Sequence, residues 1–504
     1  MLWAVWLGLE KSDQESALQE VRHCSINLFL FSFPIGSSLS GVSQLQAWFM
    51  LSNFLIFWGN FIRCNFILSG YNGIVKSIIP EKGDKEMDEF YISPKDREVL
   101  RELAKKQLEL SQAEKNKKRI VEWYEHNSLQ GKRPMIHLEL GTFAQEIIPE
   151  RLRCEGEFAR QIETELYSNF LNQELFDDDR VTPDYFPISY DTWFTLFDIQ
   201  IQVRRLNGSV GHEFEPVIED LEEDYGKLKK STYGVNLERT EKRRAALEEA
   251  FGDILPVRLN MGCLYSVPTQ MVVHFMKMEQ MMYNIYDYPE LFKEMMDRIA
   301  DDTLEYYRFL EDNKLILPTV AGESLGQGSW CYNHELPGWE EHGKRPFTTK
   351  DVWGFMDSQE TVGLSPAMYE EFIFPCYQKI AGQYGLLSYG CCEPVDPIWE
   401  SCISKLDNLR KVSISPWCNE EYMGERLAGS KIIFHRKPSP NILGLGTVLD
   451  EDALRAAMRK TLKAAQGCKL EITQRDVYTI NHDVGKAKRY VDIIKEEIEN
   501  HWKG

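Results

Sequence analysis

Two adjacent thiols and a carboxylate follow a short apolar run at positions 386–394 (LLSYGCCEP). Thiols, carboxylates and phenols are side chains that can bind a metal or move a proton. A short apolar run that ends in glycine and polar residues is typical of a buried strand leading into a functional loop. We therefore predict Tyr389 and Glu393 as catalytic residues and Cys391 as a metal ligand.

Other short apolar runs also end in polar residues. Three follow at 411–417 (KVSISPW), 431–438 (KIIFHRKP) and 469–476 (KLEITQRD). Another precedes them, and it ends in Asp357 with Glu360 shortly after. A carboxylate at the end of an apolar strand is costly to bury unless it has a partner or a role. We predict Asp357 and Glu360 as catalytic residues.

These apolar runs alternate with helical patterns along the chain. Strands separated by helices favour a parallel sheet with helices outside it, and polar residues at the C-terminal ends of the strands are the active-site layout of a (β/α)8 barrel. We predict an α/β fold, a single (β/α)8 TIM barrel over 131–504, preceded by an N-terminal helical extension over 87–130. The remaining predicted strands are 133–140, 183–190, 254–262 and 351–358. The clearest amphipathic helix is predicted at 289–313.

Two segments inside the predicted barrel interrupt this alternation. Residues 213–253 are acidic and then basic, and we predict a helical insertion on the surface. Residues 317–344 form a long connection containing glycine, tryptophan and histidine, which predicts a lid-like loop. The Gly326-Gln327-Gly328 run in this loop lacks the strand–glycine–helix context of a phosphate-binding loop.

The composition limits the class of protein. The chain has 504 residues, of which 43% are hydrophobic, and a formal net charge of −20. The apolar fraction supports a large core, and the acidic balance excludes the basic surface that nucleic acid requires. The 11 cysteines have no regular spacing, so they do not indicate a disulfide framework and favour a reducing cytoplasm.

The first 86 residues differ in composition from the rest and are rich in Phe, Trp, Leu, Ser and Asn. Their apolar window at 47–62 is short for a bilayer span and contains two asparagines, so membrane insertion is not favoured. Codons for 82–84 can spell a bacterial ribosome-binding site just ahead of Met87. We predict that 1–86 is a non-native or unstructured hydrophobic leader on a cytoplasmic, bacterial protein.

The segment 356–375 (MDSQETVGLSPAMYEEFIFP) resembles the uroporphyrinogen decarboxylase superfamily, in which a strand ends in Asp-Ser and a Ser-Pro loop leads into a helix. Residues 286–311 and 389–393 are similar to the segments after the third strand and at the fifth strand of that family. The resemblance spans 133–495. It implies a (β/α)8 barrel that either decarboxylates tetrapyrroles or transfers a methyl group to or from a corrinoid or a thiol.

The chain departs from both branches of that family. The decarboxylases carry arginines after the first strand, where this chain has 139–143 (ELGTF), and its other predicted strand ends are acidic, which disfavours a polycarboxylate substrate. The zinc methyltransferases use His-x-Cys at the fifth strand and Cys at the eighth, and only one of these positions matches. The zinc ligands that we predict in a rebuilt site are Cys391, Glu393, Cys418 and His435.

We predict a methyltransferase of one-carbon metabolism, with zinc as cofactor and a corrinoid carried by a partner protein. Its methyl donor would be a methylated amine or an aryl ether, and the superfamily suggests a homodimer. The alternatives are a carboxy-lyase of the uroporphyrinogen decarboxylase type, acting on a tetrapyrrole or a smaller carboxylic acid, and a catalytically idle partner subunit. The residues that we predict to bind substrate are Glu139, Tyr185, Trp193, Glu323, Trp417 and Arg475.

Overall fold

The structure is a computed structural model that describes residues 89–205 and 212–503. The predicted leader at 1–86 lies outside the described residues. The helices are, in chain order, α1 (Pro94–Gln112), α2 (Glu114–Asn127), α3 (Glu157–Leu171), α4 (Leu221–Asp224), α5 (Leu237–Phe251), α6 (Pro268–Phe275), α7 (Met278–Asp287), α8 (Pro289–Asp312), α9 (Trp339–His342), α10 (Pro366–Met368), α11 (Phe374–Ala381), α12 (Glu420–Leu427), α13 (Asn441–Gly444), α14 (Glu451–Ala464) and α15 (Val484–His501). The strands are β1 (Met135–Leu138), β2 (Phe186–Ile188), β3 (Thr192–Thr195), β4 (Val203–Arg205), β5 (His212–Phe214), β6 (Thr232–Val235), β7 (Val257–Leu259), β8 (Leu264–Tyr265), β9 (Ser324–Gly326), β10 (Ser329–Trp330), β11 (Trp353–Met356), β12 (Leu386–Tyr389), β13 (Leu409–Ile414), β14 (Ile433–Arg436) and β15 (Leu470–Gln474).

A sheet of seven parallel strands is the centre of the fold, in the order β1-β15-β14-β13-β12-β11-β8. Parallel neighbours need crossover connections, and helices provide them, for example α12 between β13 and β14. The strands from β11 to β15 are buried on both faces, which explains their weak alternation of apolar and polar residues. The predicted α/β class with a parallel sheet is confirmed, and every predicted strand segment overlaps an observed strand.

The predicted closed barrel of eight strands is shown only in part. β2 pairs with β7 in a separate parallel ladder, and no ladder joins β1 to β2 within the described residues. Two carboxylates explain this gap: Asp178 accepts a hydrogen bond from the backbone N–H of Leu138, and Asp179 accepts one from that of Ile136, each at 2.8 Å. Since these side chains satisfy the free edge of β1, that edge needs no strand partner.

The segment predicted as a lid-like loop contains a hairpin that lies inside the curve of the sheet. We call the hairpin Ser324–Trp330, built from β9 and β10, the axial hairpin. A Cβ atom at Gly326 would lie 3.1 Å from Phe355 in β11, and one at Gly328 would lie 2.5 Å from Thr473 in β15. Those two strands are four positions apart, about 19 Å across a flat sheet. The sheet therefore curls around the axial hairpin.

The helices begin where the sequence carries start signals. The side chain of Ser93 caps α1 by accepting a hydrogen bond from the backbone N–H of Asp96, and Pro94 occupies the first position. The segment 213–253, predicted as a helical insertion, contains α4 and α5 and also β6. Of the helices in the described part of the chain, none combines the length and apolar character needed to cross a membrane.

Candidate active site

Asp357 follows β11 directly and lies two residues after Phe355, which contacts the axial hairpin, so it points to the concave side of the sheet. Its side chain is completely buried, and neither carboxylate oxygen has a hydrogen-bond partner among the described residues. Burial, followed by the negative charges of Glu393 and Glu360, holds the pKa of Asp357 well above its usual value. This setting favours a protonated carboxyl that can donate its proton.

Glu360 is a second completely buried carboxyl in the loop after β11. One of its oxygens accepts a hydrogen bond from Thr269 Oγ1 at 2.8 Å. The phenol oxygen of Tyr377 lies 2.7 Å from both Thr269 Oγ1 and the backbone carbonyl oxygen of Asp357. Burial raises the pKa of Glu360 to about 7. Residues from α6 and α11 therefore position both acids of this loop.

Glu393 is buried as well, but both of its oxygens are engaged. They accept hydrogen bonds from the backbone N–H groups of Ser358 and Cys391, each at 2.9 Å. Burial nevertheless raises the pKa of Glu393. Because its carboxyl ties the loop after β11 to the loop after β12, the geometry gives Glu393 a positioning role toward the two acids.

Tyr389 faces the helices that cover the sheet. Its hydroxyl lies 2.6 Å from Ser358 Oγ and 2.7 Å from the hydroxyl of Tyr369, and its side chain is completely buried. The expectation that positions 389, 391 and 393 share one face rests on strand alternation, which ends at Gly390 because that residue has a φ of 96°. Tyr389 therefore lies on the side of the sheet that faces the helices, away from the concave side, and it supports the loop after β11 through its hydrogen bond with Ser358.

Cys391 and Arg475 meet on the concave side of the sheet. The Cys391 Sγ lies 3.0 Å from Gln327 Oε1 at the tip of the axial hairpin and accepts a hydrogen bond from Arg475 Nη1 at 3.6 Å. Arg475 also donates through Nε to Glu139 Oε2 at 3.1 Å. A hydrogen bond with Cys392 and burial hold the pKa of Cys391 well above its usual value. Two predicted substrate residues, Glu139 and Arg475, are thus brought together beside this thiol.

Tyr265, which the sequence reasoning did not select, completes this group. It is 37% exposed and stacks on Phe355 with ring centroids 4.9 Å apart. Although part of the residue is exposed, desolvation of its phenol group and the nearby charge of Asp357 hold the pKa of that group well above its usual value. The signal in the sequence was weak, because β8 has only two residues and lies just beyond the longer predicted strand at 254–262. Tyr265 presents an aromatic face next to the unpaired acid.

The four residues predicted to hold zinc do not meet at one point. The carboxyl of Glu393 is engaged with backbone groups, and Cys418 Sγ accepts a hydrogen bond from a backbone N–H of the neighbouring loop at 3.2 Å. His435 lies deeper, on β14, bonded to the side chain of Thr473 at 2.8 Å. No group of three or more His, Cys, Asp or Glu side chains suited to a metal ion occurs anywhere in the described part of the chain. The predicted set does not fit a zinc ion.

The other predicted substrate residues are distributed around the fold. Tyr185 directly precedes β2, at the N-terminal end of that strand, and it lies in electrostatic range of Glu323. The Tyr185 hydroxyl accepts a hydrogen bond from the side chain of Asn260, which directly follows β7, at 3.0 Å, and Glu323 directly precedes β9. Trp193 belongs to the separate β3–β6 ladder, and Trp417, which follows β13, is 41% exposed. Of these four, only Trp417 lies at the C-terminal edge of the central sheet.

Lys437 is a buried amine that the sequence reasoning left outside the predicted site. It follows β14 and donates to the backbone carbonyl of Gln327, and its Nζ lies 2.9 Å from His435 Nε2. Burial, together with the charge of Arg475, lowers the pKa of Lys437 to about 7. The Lys437 amine therefore holds the tip of the axial hairpin by a hydrogen bond, and it is only partly protonated near neutral pH.

Comparisons with known proteins give a distant likeness. No protein-family model matches the chain, and no curated protein matches it. Among solved structures, a methyltransferase from Methanosarcina mazei is similar, with a TM-score of 0.43 and 12% sequence identity, over 75% of this chain and 98% of that chain. At this identity and TM-score, the likeness to a methyltransferase does not by itself establish a shared activity.

Proposed function

We propose that this chain is a methyltransferase of the uroporphyrinogen decarboxylase type, built on a (β/α)8 barrel, in which Asp357 is the general acid. The observation that carries the proposal is the completely buried carboxyl of Asp357, which has no hydrogen-bond partner in the described structure. An unpaired buried polar group costs free energy in the fold. Buried ionisable groups in such an unfavourable setting are typical of functional sites, where a ligand can supply the missing partner.

An acid that is held protonated favours an oxygen leaving group. Removing a methyl group from an aryl ether generates a phenolate unless a proton is supplied, whereas a quaternary ammonium ion leaves as a neutral amine and needs none. Of the two donor classes predicted from the sequence, the aryl methyl ether therefore suits Asp357 better. Tyr265 offers an aromatic face beside this acid, on which the substrate ring can stack.

In the proposed step, a nucleophilic acceptor attacks the methyl carbon, and the bond between carbon and oxygen breaks with its electron pair going to oxygen. Asp357 gives its proton to that oxygen, so the products are a phenol and the methylated acceptor, and solvent later returns a proton to Asp357. The positive charge of Arg475 stabilises the transient Asp357 carboxylate. The family resemblance implies a reduced corrinoid, delivered by a partner protein, as the acceptor.

The alternative reaction, decarboxylation of an acidic substrate, needs cationic residues at the same edge of the sheet. Arg410 instead pairs with Glu335 at 2.5 Å near the N-terminal end of β13, and Arg436 pairs with Glu420 at 2.7 Å under α12. Arg475 and Lys437 do reach the C-terminal edge, but acidic side chains surround Arg475, and burial lowers the pKa of Lys437 to about 7. This balance of charge favours the methyl-transfer proposal over the carboxy-lyase.

The test is an Asp357→Asn variant, assayed with methoxybenzene and with tetramethylammonium as donors and a reduced corrinoid as acceptor. General acid catalysis contributes about 10²- to 10⁴-fold, so we expect ether demethylation to fall by that factor. The ammonium reaction has no proton to receive, and we expect its rate to stay within about twofold.

An Asp492→Asn variant, which changes a surface carboxylate of α15, is the matched control for this experiment. An unchanged rate of ether demethylation in Asp357→Asn would contradict the proposal. Decarboxylation of a porphyrinogen by the wild-type protein, without turnover of either methyl donor, would establish the carboxy-lyase in its place.

A further inference from the structure

The axial hairpin brings a side chain into the candidate site from outside the central sheet. At its tip, Gly326, Gln327 and Gly328 have φ angles of 81°, 51° and 74°. The two glycines are needed there, because a Cβ atom would press against Phe355 on one side and Thr473 on the other. Left-handed backbone is costly for a glutamine. The tip therefore holds Gln327 in place against its own conformational preference.

Two contacts of Gln327, and a third contact made by its neighbour Cys391, fix the orientation of its side chain. Its backbone carbonyl accepts a hydrogen bond from Lys437, and its Oε1 lies 3.0 Å from Cys391 Sγ. The same sulfur accepts a hydrogen bond from Arg475 Nη1 at 3.6 Å. Since the sulfur accepts on that side, its own proton is available to the Gln327 oxygen. This arrangement directs the amide oxygen toward the thiol and the amide nitrogen away from it.

The amide nitrogen of Gln327 remains without an acceptor. The side chain is 3% exposed, and Nε2 has no hydrogen-bond partner in residues 89–205 and 212–503. The thiol that holds the other end of the amide lies in electrostatic range of Asp357. Buried donors are paired in the great majority of native structures. An unpaired donor next to the proposed acid is explained if a bound substrate supplies the acceptor.

We propose that Gln327 determines substrate specificity by donating, through Nε2, a hydrogen bond to a second oxygen of the substrate. This oxygen is distinct from the methoxy oxygen that receives the proton of Asp357. The inference rests on the proposed function, and it narrows the substrate class to aryl methyl ethers that carry a further oxygen acceptor on the ring. A ring without that oxygen would leave the amide donor unpaired and bind more weakly.

The experiment compares Gln327→Met with the wild-type protein on methoxybenzene and on the three isomers of dimethoxybenzene. Methionine keeps the length of the side chain and removes the amide. For the isomer that the wild type prefers, we expect kcat/KM to fall about 10- to 100-fold, mainly through KM. For methoxybenzene, which lacks the second oxygen, we expect no change in either constant.

A Gln327→Leu variant also removes the amide donor, so it should show the same loss. Gln145→Met, at an exposed position of a short 3₁₀ helix, is the control, and thermal unfolding identifies any variant that does not fold. Equal losses on all four ethers, or no loss on any, would overturn the specificity role. If the wild type demethylates none of the ethers, the proposed function itself fails, which is a different result.

Discussion

Two sets of buried ionisable side chains lie on the concave side of the same sheet and differ in how their charges are paired. In the interior, Glu471 of β15 is bonded to Lys411 of β13 at 2.7 Å, and the ring nitrogens of His435 and His126 lie 3.4 and 3.6 Å from its oxygens. At the C-terminal edge, Asp357 is equally buried but lacks any hydrogen-bond partner among the described residues.

The pKa of the buried carboxyl shifts in opposite directions at the two places. Burial opposes ionisation of both carboxyls, yet His435 and Lys411 hold the pKa of Glu471 well below its usual value. At Asp357, burial and two neighbouring carboxyls act together and hold the pKa well above the usual value. The comparison separates a carboxylate whose charge is paired within the fold from an unpaired acid, which is the group that we propose to meet a ligand.

The largest effect that we expect on stability is at the interior pair. A Lys411→Met variant leaves Glu471 buried without its cation, and breaking a buried ion pair from one side costs about 3–5 kcal/mol. The free energy of unfolding, from denaturant titration, measures this loss.

Lys488→Met is the control for that variant, because it removes an exposed lysine that pairs with Asp492 within α15. Such a surface pair contributes about 0.3–0.5 kcal/mol. If Lys411→Met lowered the free energy of unfolding no more than this control, the paired charges around Glu471 would not stabilise the fold, and the contrast with Asp357 would fail.

A smaller effect is expected in the pH dependence of stability at the acidic edge. Burial raises the pKa of Glu360 from 4.5 to about 7 in the folded protein. The associated stability is therefore fully present below pH 4.5, declines as the pH rises, and is lost once the pH passes about 7. The total is about 3 kcal/mol. In Glu360→Gln this decline should be absent from unfolding curves recorded between about pH 5 and about pH 8.

Glu499→Gln, an exposed position near the end of α15, should retain the wild-type pH dependence. Identical pH profiles for Glu360→Gln and the wild type would show that Glu360 is ionised in the folded protein, and the contrast between the two sets of charges would then be limited to Asp357.

The sequence predicted most strands of the central sheet and the place of Asp357 directly after one of them, because both depend on local patterns: apolar runs, helix starts and a carboxylate at the end of a strand. Its reading of the loop after β12 failed at Gly390, since one positive φ changes which side chains share a face. Glu323 was predicted to bind substrate from a lid-like loop, but the structure places it directly before β9, at the start of the axial hairpin.

The site residues that the sequence reasoning missed depend on long-range packing. Gln327 reaches Cys391 only because the axial hairpin passes through the curve of the sheet, a contact between positions 64 residues apart. Tyr377 reaches Asp357 from α11, and Thr269 reaches Glu360 from α6, across 91 residues. No local pattern encodes these contacts, although glycines on both sides of Gln327 marked an unusual turn.

The most direct test of the account is the protonation state of Asp357 in the wild-type protein at neutral pH. Difference infrared spectroscopy between the wild type and Asp357→Asn resolves the carbonyl stretch of a protonated carboxyl from the stretches of a carboxylate. We predict that the difference contains the band of a protonated carboxyl and that this band shifts in deuterium oxide. A difference that contains only carboxylate bands would show that Asp357 is ionised, and it would contradict the assignment of Asp357 as the general acid.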